Sequence, residues 1–378
     1  MSRPDPISTA MQSAVDTGVF PGAVLVVRVG GRIVYHEAFG LAALIPKKEP
    51  AGPDTVYDLA SLTKPLATTT AILCLVQDGQ LGLDDPLEDV LDTLKGSAIG
   101  KATVSHLLGH RSGLPAWRPI YEQVAERERG QPGFLGSDEA RRLVVDYIRR
   151  ESLLSPVGAH VCYSDLGFIL LGALVERLSG RSLALFCRDR IYGRIGAEPL
   201  FFVMNGRVSG DGASGRSADV RVVAPTEDDP WRGRVLRGEV HDENAFAMGG
   251  VAGHAGLFGT AVSVLTVAGR WLRSYLNQDS LLSPDLVRRF ARRQDPAEAS
   301  SWGMGWDTPS KPSASGTRFS SSAFGHLGYT GTSLWIDPTC ELEVILLSNR
   351  VHPTRRNERI QTFRPRIHDL IFEELIRN

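Results

Sequence analysis

The chain carries strand-forming segments at both of its ends, and this arrangement restricts its fold more than any other feature. Residues 23–29 and 32–36 are rich in β-branched and apolar side chains, and only a Gly-Gly pair separates them. Two glycines accept the positive φ angles of a two-residue turn, so these segments predict an antiparallel hairpin. A second hairpin is predicted near the other end, where residues 332–336 and 342–347 flank an Asp-Pro-Thr turn.

Between the hairpins the pattern becomes helical. Residues 66–78 and 166–179 each have the length and apolar content of a helix, and each is followed by a glycine, which suits a helix C-terminus. The last segment, residues 359–377, repeats apolar side chains at helical spacing. We therefore predict an α+β fold, in which an antiparallel sheet formed from both chain ends is flanked by helices and a mostly helical lobe is inserted.

The predicted organisation is a single domain over residues 1–378 with two lobes. An α/β lobe of approximately residues 1–60 plus 245–378 contains the sheet, and a mostly helical lobe spans approximately residues 61–244. The groove between the lobes is the expected ligand site, because pockets form preferentially at such junctions.

Composition indicates a globular protein without a strongly charged partner. The 378 residues are 42% hydrophobic, and 42 Lys and Arg nearly balance 43 Asp and Glu. Nucleic acid and membrane surfaces are therefore not expected partners, and the oligomeric state is left open. The four scattered cysteines predict neither disulfides nor a zinc site. The first residues lack the layout of a secretory signal, and no run of about 18 apolar residues is present, so we expect a cytoplasmic protein.

The strongest chemical signal is the Ser-Leu-Thr-Lys sequence at residues 61–64. Ser61 and Lys64 are three residues apart, so they share one face of a helix and their side chains can meet. A serine hydroxyl becomes a good nucleophile when a base takes its proton, and burial can lower the pKa of a lysine from ~10.4 toward ~7–8. At a helix start, the Ser61 N–H also points toward a developing oxyanion. The alternative is that Ser61 is only a helix cap.

Two further segments contain residues that can assist a serine nucleophile. Tyr163 and Asp165 lie just before the helix predicted from Leu166, and a phenol near a cationic lysine can shuttle a proton. The alternatives are a half-buried aromatic side chain for Tyr163 and a helix N-cap for Asp165. Residues 325–331, Gly-His-Leu-Gly-Tyr-Thr-Gly, precede a predicted strand. Their glycines let a backbone edge approach a ligand and offer N–H groups to an oxyanion.

Together these residues resemble the serine β-lactamase and penicillin-binding protein superfamily, and most closely its class C-like branch, which includes carboxylesterases and D-amino-acid peptidases. The family's ordered motifs are Ser-x-x-Lys, Tyr-x-Asn, and Lys-Thr-Gly or His-x-Gly. They are matched here at residues 61–64, 163–165 and 326–328, with Asp165 in place of the Asn and His326 in the third motif. Further similar segments lie at residues 20–23, 107–115, 249–257 and 335–338. Most of the chain is therefore covered by the resemblance.

The resemblance implies that a serine attacks a carbonyl, that a lysine and a tyrosine carry the proton, and that water then hydrolyses a covalent acyl-enzyme. Two backbone N–H groups would form the oxyanion hole, and no cofactor or metal is implied. In this chain the implied residues are Ser61, Lys64 and Tyr163 in catalysis, the N–H groups of Ser61 and Tyr329 in the oxyanion hole, and Asp165, His326 and Gly328 in substrate binding.

Two departures from the family pattern narrow the expected substrate. Asp165 replaces an amide that would donate to a substrate carbonyl, and a carboxylate donates only when protonated. His326 replaces a fixed ammonium, and a largely uncharged histidine is a poor partner for an anionic substrate near neutral pH. We therefore expect a small-molecule ester or amide substrate and, first, carboxylesterase activity. The alternatives are a muropeptide amidase, a D-amino-acid peptidase, a weak β-lactamase, or a non-catalytic penicillin-binding or sensory module.

Other residue patterns in the sequence are weaker evidence for a catalytic or metal site. No Gly-x-Ser-x-Gly sequence provides the nucleophile of an α/β-hydrolase. His106 and His110 are four residues apart, but no third ligand clusters with them, so a zinc site is not expected. Residues 241–243, His-Asp-Glu, and His254 lie closer in sequence to the third motif and can enter the cleft, although structural hydrogen bonds are the simpler interpretation.

Overall fold

A computed structural model of the chain describes residues 5–197, 199–204, 206–208, 222–294 and 300–376. The α-helices are α1 (Pro6–Asp16), α2 (Thr70–Gln77), α3 (Leu87–Val90), α4 (Val104–Leu108), α5 (Ile120–Gly130), α6 (Asp138–Arg150), α7 (Asp165–Ser179), α8 (Leu183–Cys187), α9 (Gly193–Ile195), α10 (Glu243–Ala247), α11 (Ala261–Tyr275), α12 (Pro284–Ala291) and α13 (Ile360–Leu375). The β-strands are β1 (Gly22–Val29), β2 (Arg32–Ala43), β3 (Glu49–Pro50), β4 (Tyr57–Asp58), β5 (Leu200–Met204), β6 (Arg207–Val208), β7 (Asp228–Asp229), β8 (Arg234–Val235), β9 (Leu257–Gly259), β10 (Phe324–Leu327), β11 (Ser333–Asp337) and β12 (Leu342–Ser348). Within these described ranges, no helix combines the length and the hydrophobicity that a membrane crossing requires.

Strands from both chain ends form one six-stranded antiparallel sheet in the order β10-β11-β12-β1-β2-β3. β1 pairs with β12 on one side and with β2 on the other, so that Val26 lies opposite both Ile345 and His36. In the turn between β1 and β2, Gly30 and Gly31 have φ angles of 53° and 78°, as a two-residue hairpin requires. Both predicted hairpins and the union of the chain ends in one sheet are confirmed.

The sheet buries both of its faces because side chains alternate along each strand. On β1, Val24 and Val26 belong to the core that includes α11 and the helical middle of the chain. Leu25 and Val27 belong to a second core, which the sheet shares with α1 and α13. Burial of each such side chain contributes roughly 1.5–3 kcal/mol. These two cores hold the strands that carry the third motif in a fixed position.

Capping residues determine where helix α7 begins and ends. α7 starts after Ser164, whose hydroxyl accepts the N–H of Gly167 at 3.4 Å. It ends at Gly180, which has the left-handed conformation of a helix C-terminus, with a φ angle of 66°. The helix predicted over residues 166–179 is therefore confirmed, and α13 confirms the predicted final helix.

The helix predicted over residues 66–78 begins earlier than expected. A 3₁₀-helix at Ala60–Leu62 and a π-helix at Lys64–Thr69 precede α2. Pro65 occupies the first turn of the π-helix, where a proline is tolerated because the first N–H groups of a helix have no partner within it. The serine of the first motif consequently lies in a tight 3₁₀ turn rather than at the start of a regular α-helix.

A second antiparallel sheet, in the order β4-β9-β5-β6, is not predicted by the sequence patterns. Its strands are short, and β5 lies inside the segment expected to be mostly helical. The sheet matters for the site because β4 leads directly into the turn that carries Ser61. The mixed helix and antiparallel-sheet class is confirmed, while the lobe boundaries near residues 60 and 245 stay a prediction.

Candidate active site

Ser61 lies in a turn that a buried carboxylate holds in place. Asp58 is 2% exposed, and its side chain accepts the N–H of Ala60 at 2.8 Å and the N–H of His241 at 2.7 Å. Ala60 has a φ angle of 47°, in the left-handed region that residues other than glycine rarely adopt. Strain of this kind persists only where the surroundings enforce it, and it is typical of functional sites.

Lys64 is completely buried and lies within reach of three oxygen atoms. Its Nζ is 2.9 Å from Ser61 Oγ, 2.7 Å from Asp165 Oδ1 and 3.1 Å from the carbonyl oxygen of His254. The contact between serine and lysine that the three-residue spacing predicts is therefore present. The second motif adds a carboxylate to the same cluster.

The pKa of Lys64 is raised in this cluster, whereas the sequence predicts that burial lowers it. Burial alone does act in that direction, but the Asp165 carboxylate and the Tyr163 phenol outweigh it. The expectation of a lowered pKa is wrong because it considered burial without the negative charge of Asp165. In the resting site Lys64 is an ammonium group at neutral pH.

Tyr163 packs against the lysine and between two other rings. Lys64 Nζ is 4.8 Å from the centre of the Tyr163 ring, and the rings of His110 and Trp302 are centred 4.6 and 5.3 Å from it. Burial raises the pKa of the Tyr163 hydroxyl, although the nearby Lys64 ammonium and a hydrogen bond with Ser61 act in the opposite direction. The resting side chain is therefore a neutral phenol that can donate a proton.

Ser61 opens into a cavity of about 390 Å³, a size typical of small-molecule sites. Segments that are distant in sequence line it: Ala60, Ser61, Trp117, Tyr163, Asp165, His241, Asp242, Glu243, His254, Ala255, Tyr329 and Arg355. The first two motifs and the loop after β10 thus meet at one cavity. This cavity is the candidate active site.

Carboxylates dominate the charged lining of the cavity. Asp165, Asp242 and Glu243 face it, and its arginine, Arg355, is held by two carboxylates, one of them Glu243 at 2.7 Å. Burial would raise the pKa of Asp242, but His254, whose Nε2 is 2.7 Å away, lowers it, so Asp242 stays ionised. The cavity therefore favours neutral or cationic groups over a free carboxylate.

The loop after β10 is fastened to the segment that leads into Ser61. The hydroxyls of Thr330 and Thr332 donate, at 2.7 and 3.0 Å, to the carbonyl oxygens of Asp58 and of the residue after it. Within the described ranges, the backbone N–H groups of Ser61 and Tyr329 donate to no acceptor in the chain. Both groups are therefore available to an oxyanion, as the resemblance implies.

Gly328 and Tyr329 play different parts in this loop. A Cβ on Gly328 would lie 1.9 Å from Thr332 Oγ1 and 2.6 Å from the carbonyl oxygen of Leu59, so only glycine allows this close approach. Gly328 is not among the residues that line the cavity, and its part in substrate binding stays a prediction. The Tyr329 ring is 50% exposed, lines the cavity and stacks on the ring of His241, with centroids 5.7 Å apart.

His326 is buried and is not among the residues that line the cavity, so its part in substrate binding stays a prediction. It is 2% exposed, its Nδ1 lies 2.7 Å from the carbonyl oxygen of Leu327, and its ring packs against Trp302 and Tyr163. Burial, together with the nearby Lys64 ammonium, lowers the pKa of His326 to about 3. A neutral, enclosed histidine supports the tyrosine and supplies no charge to a substrate.

Several residues of the site are not indicated by the motifs alone. The Nδ1 of His110 accepts the N–H of Ser164 at 3.1 Å, and its ring lies against Tyr163, so it holds the second motif. Asp242 and His254 bind each other and also line the cavity, and the available signal was only their nearness in sequence to the third motif. In the part of the chain that the structure describes, no cluster of three His, Cys, Asp or Glu side chains is placed to hold a metal ion.

Comparison with known protein families agrees with this geometry. Residues 7–364 match the family model described as Beta-lactamase. The chain belongs to the Beta-lactamase family. The match spans all three motifs and both ends of the large sheet, and it makes the chain a serine hydrolase of the β-lactamase fold.

Proteins with several different names are similar to this chain. A putative D-alanyl-D-alanine carboxypeptidase of Escherichia coli (strain K12) is 31% identical over 363 residues, which cover 89% of this chain and 80% of the relative. The N-acetylmuramyl-L-alanine amidase of Bacillus subtilis (strain 168) is 31% identical over 366 residues, covering 88% and 78%. The solved structure of EstCE1, a hydrolase with promiscuous acyltransferase activity, superposes with a TM-score of 0.72 at 20% identity and covers 95% of this chain and 97% of that one. This last likeness shows a shared fold.

Proposed function

We propose that the chain is a serine hydrolase of amide and ester bonds that works through an acyl-Ser61 intermediate, and that an amidase of muropeptide-like substrates is the first candidate. The observation that carries the proposal is a pair of consecutive contacts beside the cavity. Ser61 Oγ lies 2.9 Å from Lys64 Nζ, which in turn lies 2.7 Å from Asp165 Oδ1. These side chains supply, in order, a nucleophile, a proton acceptor and the charge partner of that acceptor.

The proposed reaction begins with the proton of Ser61. When the proton shared by Lys64 and Asp165 moves toward the carboxylate, the amine becomes free to take the hydroxyl proton. Ser61 Oγ then bonds to the carbonyl carbon, and the C–N or C–O bond breaks as Tyr163 protonates the leaving group. Lys64 returns a proton to the tyrosine. Water then attacks the acyl-enzyme by the same route, which releases the acid and restores the serine.

The charges around the cavity support a substrate without a free carboxylate at the leaving group. Asp165, Asp242 and Glu243 would repel such a carboxylate, and Arg355 is already held by carboxylates. His326, at the position of the family's ammonium, is neutral and enclosed. A carboxypeptidase must accept a terminal carboxylate, so the amidase is a better guide to this chain than the carboxypeptidase of similar identity.

Carboxylesterase activity is the second candidate. It is supported because no Lys or Arg among the described residues that line the cavity is without a carboxylate partner, and because Asp165 cannot donate to an amide carbonyl while it is ionised. The same reasoning makes β-lactam hydrolysis weak, because those substrates carry a carboxylate. If the chain acts in the cytoplasm, a muropeptide substrate would be an imported fragment.

A matched panel of substrates tests this choice. We would compare kcat/KM for short-chain nitrophenyl esters, an N-acetylmuramyl peptide, and one acyl-D-Ala-D-Ala peptide prepared both as the free acid and as the C-terminal carboxamide. We expect cleavage of the muramyl amide bond, and faster cleavage of the carboxamide than of the free acid. Faster cleavage of the free acid would overturn the charge argument, and cleavage of esters alone would select the carboxylesterase.

Intact-protein mass spectrometry tests the nucleophile itself. A fluorophosphonate should add once to the wild-type chain and not at all to Ser61→Ala. An adduct at another residue would refute the mechanism. A permanent adduct with penicillin, combined with no turnover of any substrate in the panel, would instead favour a non-catalytic penicillin-binding or sensory module.

A further inference from the structure

Two buried arginines lie behind the loop that follows β10. Arg364, on α13, is 6% exposed, and its Nη2 donates to the carbonyl oxygens of Gly328 at 3.1 Å and Thr332 at 2.8 Å. Arg350 is also 6% exposed, and its Nε donates to the carbonyl oxygen of Tyr329 at 2.8 Å. Its guanidinium carbon lies 4.5 Å from the centre of the Tyr329 ring. Carbonyl groups at both ends of the loop and within it are therefore bound by cations.

Neither arginine forms an ion pair with a carboxylate in the described part of the chain, although Glu358 and Glu227 act on the charge of Arg350 from a greater distance. Arg364 donates to the backbone carbonyl oxygens of Gly328 and Thr332, and Arg350 donates to those of Arg355 at 3.0 Å and Asn357 at 2.6 Å as well as to that of Tyr329. Burial and the neighbouring Arg350 lower the pKa of Arg364 to about 9, which leaves its guanidinium charged at neutral pH. A buried charge without a counter-charge is unfavourable, so the position of the Arg364 side chain calls for a functional reason.

One peptide group connects Arg364 to the candidate oxyanion hole. The carbonyl of Gly328 and the N–H of Tyr329 belong to the same trans peptide, in which the two groups point in opposite directions. Arg364 and the N–H of Gly331, at 3.1 Å, bind the carbonyl side. The N–H side is therefore turned away from α13, and it is the side that has no acceptor among the described residues. A cation on the carbonyl also polarises the peptide, which makes its N–H a stronger donor.

We propose that Arg364 is a positioning residue that fixes and polarises the Gly328–Tyr329 peptide as one half of the oxyanion hole, and that Arg350 holds the next carbonyl in line. The inference rests on the proposed acyl-Ser61 mechanism. Arg364 touches no substrate and acts only through the Tyr329 N–H. Its effect should consequently appear in stabilisation of the transition state and not in binding of the ground state.

The test compares Arg364→Met and Arg364→Lys with a matched control, Arg366→Met, which removes an exposed arginine from the same helix. We would measure kcat and KM per fluorophosphonate-titrated active site, the affinity of a boronic acid that mimics the tetrahedral intermediate, and the affinity of the carboxylic acid product. For Arg364→Met we expect kcat to fall about 10- to 100-fold, less than the roughly 10²–10³-fold loss that follows removal of a whole donor. Boronic acid affinity should fall by a similar factor, and product affinity should stay within about twofold.

The outcomes separate this inference from the proposed function. A wild-type chain that is not acylated at Ser61 would refute the mechanism and the inference with it. An active wild type combined with folded Arg364 variants that keep kcat and boronic acid affinity would refute the inference alone. Equal losses of boronic acid and product affinity would point to a general packing role and also overturn it. If Arg364→Met does not fold, Arg364→Lys carries the same readout, with a smaller expected loss because it retains the charge.

Discussion

At the scale of single residues, one substitution relative to the family pattern reverses the electrostatics of the candidate site. An amide at position 165 would leave burial as the main influence on Lys64 and so favour a neutral amine. Asp165 instead places a carboxylate oxygen 2.7 Å from Lys64 Nζ, and the pKa of Lys64 is raised. In the proposed mechanism the base is therefore the lysine and the carboxylate acting together.

Asp165→Asn should consequently move the pH dependence of the reaction. Without the carboxylate, burial lowers the pKa of Lys64, so the free amine forms at lower pH and the acidic limb of kcat/KM shifts toward lower pH. The measurement is a pH–rate profile on an activated ester, where leaving-group protonation matters little. An acidic limb that stays in place would mean that a group other than Lys64 sets the protonation state required for acylation.

Lys64→Ala and Tyr163→Phe should each slow acylation by about 10²–10⁴, the usual contribution of a proton-transfer group. The readout is the single-turnover rate of labelling at Ser61. Two control variants make the same kinds of substitution at positions away from the cavity. They are Tyr147→Phe on α6 and Lys101→Ala at an exposed position. Near-normal rates in both site variants would show that the proton takes another route.

At the scale of secondary-structure elements, an ion pair joins the two chain ends inside the sheet. Arg28 on β1 lies opposite Glu343 on β12, forms an ion pair with it, and also donates to the carbonyl oxygen of Leu265 on α11 at 2.9 Å. Gly269 of α11 makes room for the guanidinium, since a Cβ there would lie 2.1 Å from Arg28 Nη2. The pair thus links two strands from opposite chain ends to the helix that covers them.

Removing one member of this pair should cost much more than replacing both. Arg28→Met leaves the Glu343 carboxylate, 1% exposed, without its cation, and we expect a loss of about 3–5 kcal/mol at pH 7, whereas Arg28→Met with Glu343→Leu should be near neutral. Burial already raises the pKa of Glu343 above 4.5, and loss of the cation raises it further, so the cost in the single variant should grow as the pH rises above the raised pKa of the wild-type carboxyl and shrink below it. Urea unfolding of the two single variants and the double variant measures this, and additive losses would contradict it.

At the scale of the whole molecule, patterns that repeat along the chain were predictable and contacts between distant segments were not. Strand-forming apolar segments at both ends predicted the large sheet, and a three-residue spacing predicted the contact of Ser61 with Lys64. The raised pKa of Lys64, the acidic lining and the enclosure of His326 depend on which segments meet after folding. The segment containing Asp242 is nearly two hundred positions from Ser61, so no local spacing reports their shared cavity.

Buried neutral histidines should make the stability of the folded chain fall in mild acid, and His368 offers a case remote from the cavity. It is completely buried on α13, its Nδ1 donates to the carbonyl oxygen of Ala314 at 2.8 Å, and burial lowers its pKa from 6.5 to about 4. Because the folded pKa is depressed, the unfolded chain binds a proton between these values that the folded chain does not, so stability is complete above pH 6.5 and falls as the pH drops.

The slope of this loss should approach about 1.4 kcal/mol per pH unit for one group. His368→Gln keeps a polar side chain but cannot titrate, so its unfolding free energy lacks this contribution whatever its absolute value. The difference between wild type and variant, measured by urea unfolding at pH 7, 6 and 5, should shift against the wild type as the pH falls. Other titrating groups occur in both chains and cancel in the difference. A difference that does not change with pH would mean that His368 is protonated as readily in the folded chain as in the unfolded one, and that the core formed by α13 and the sheet admits water.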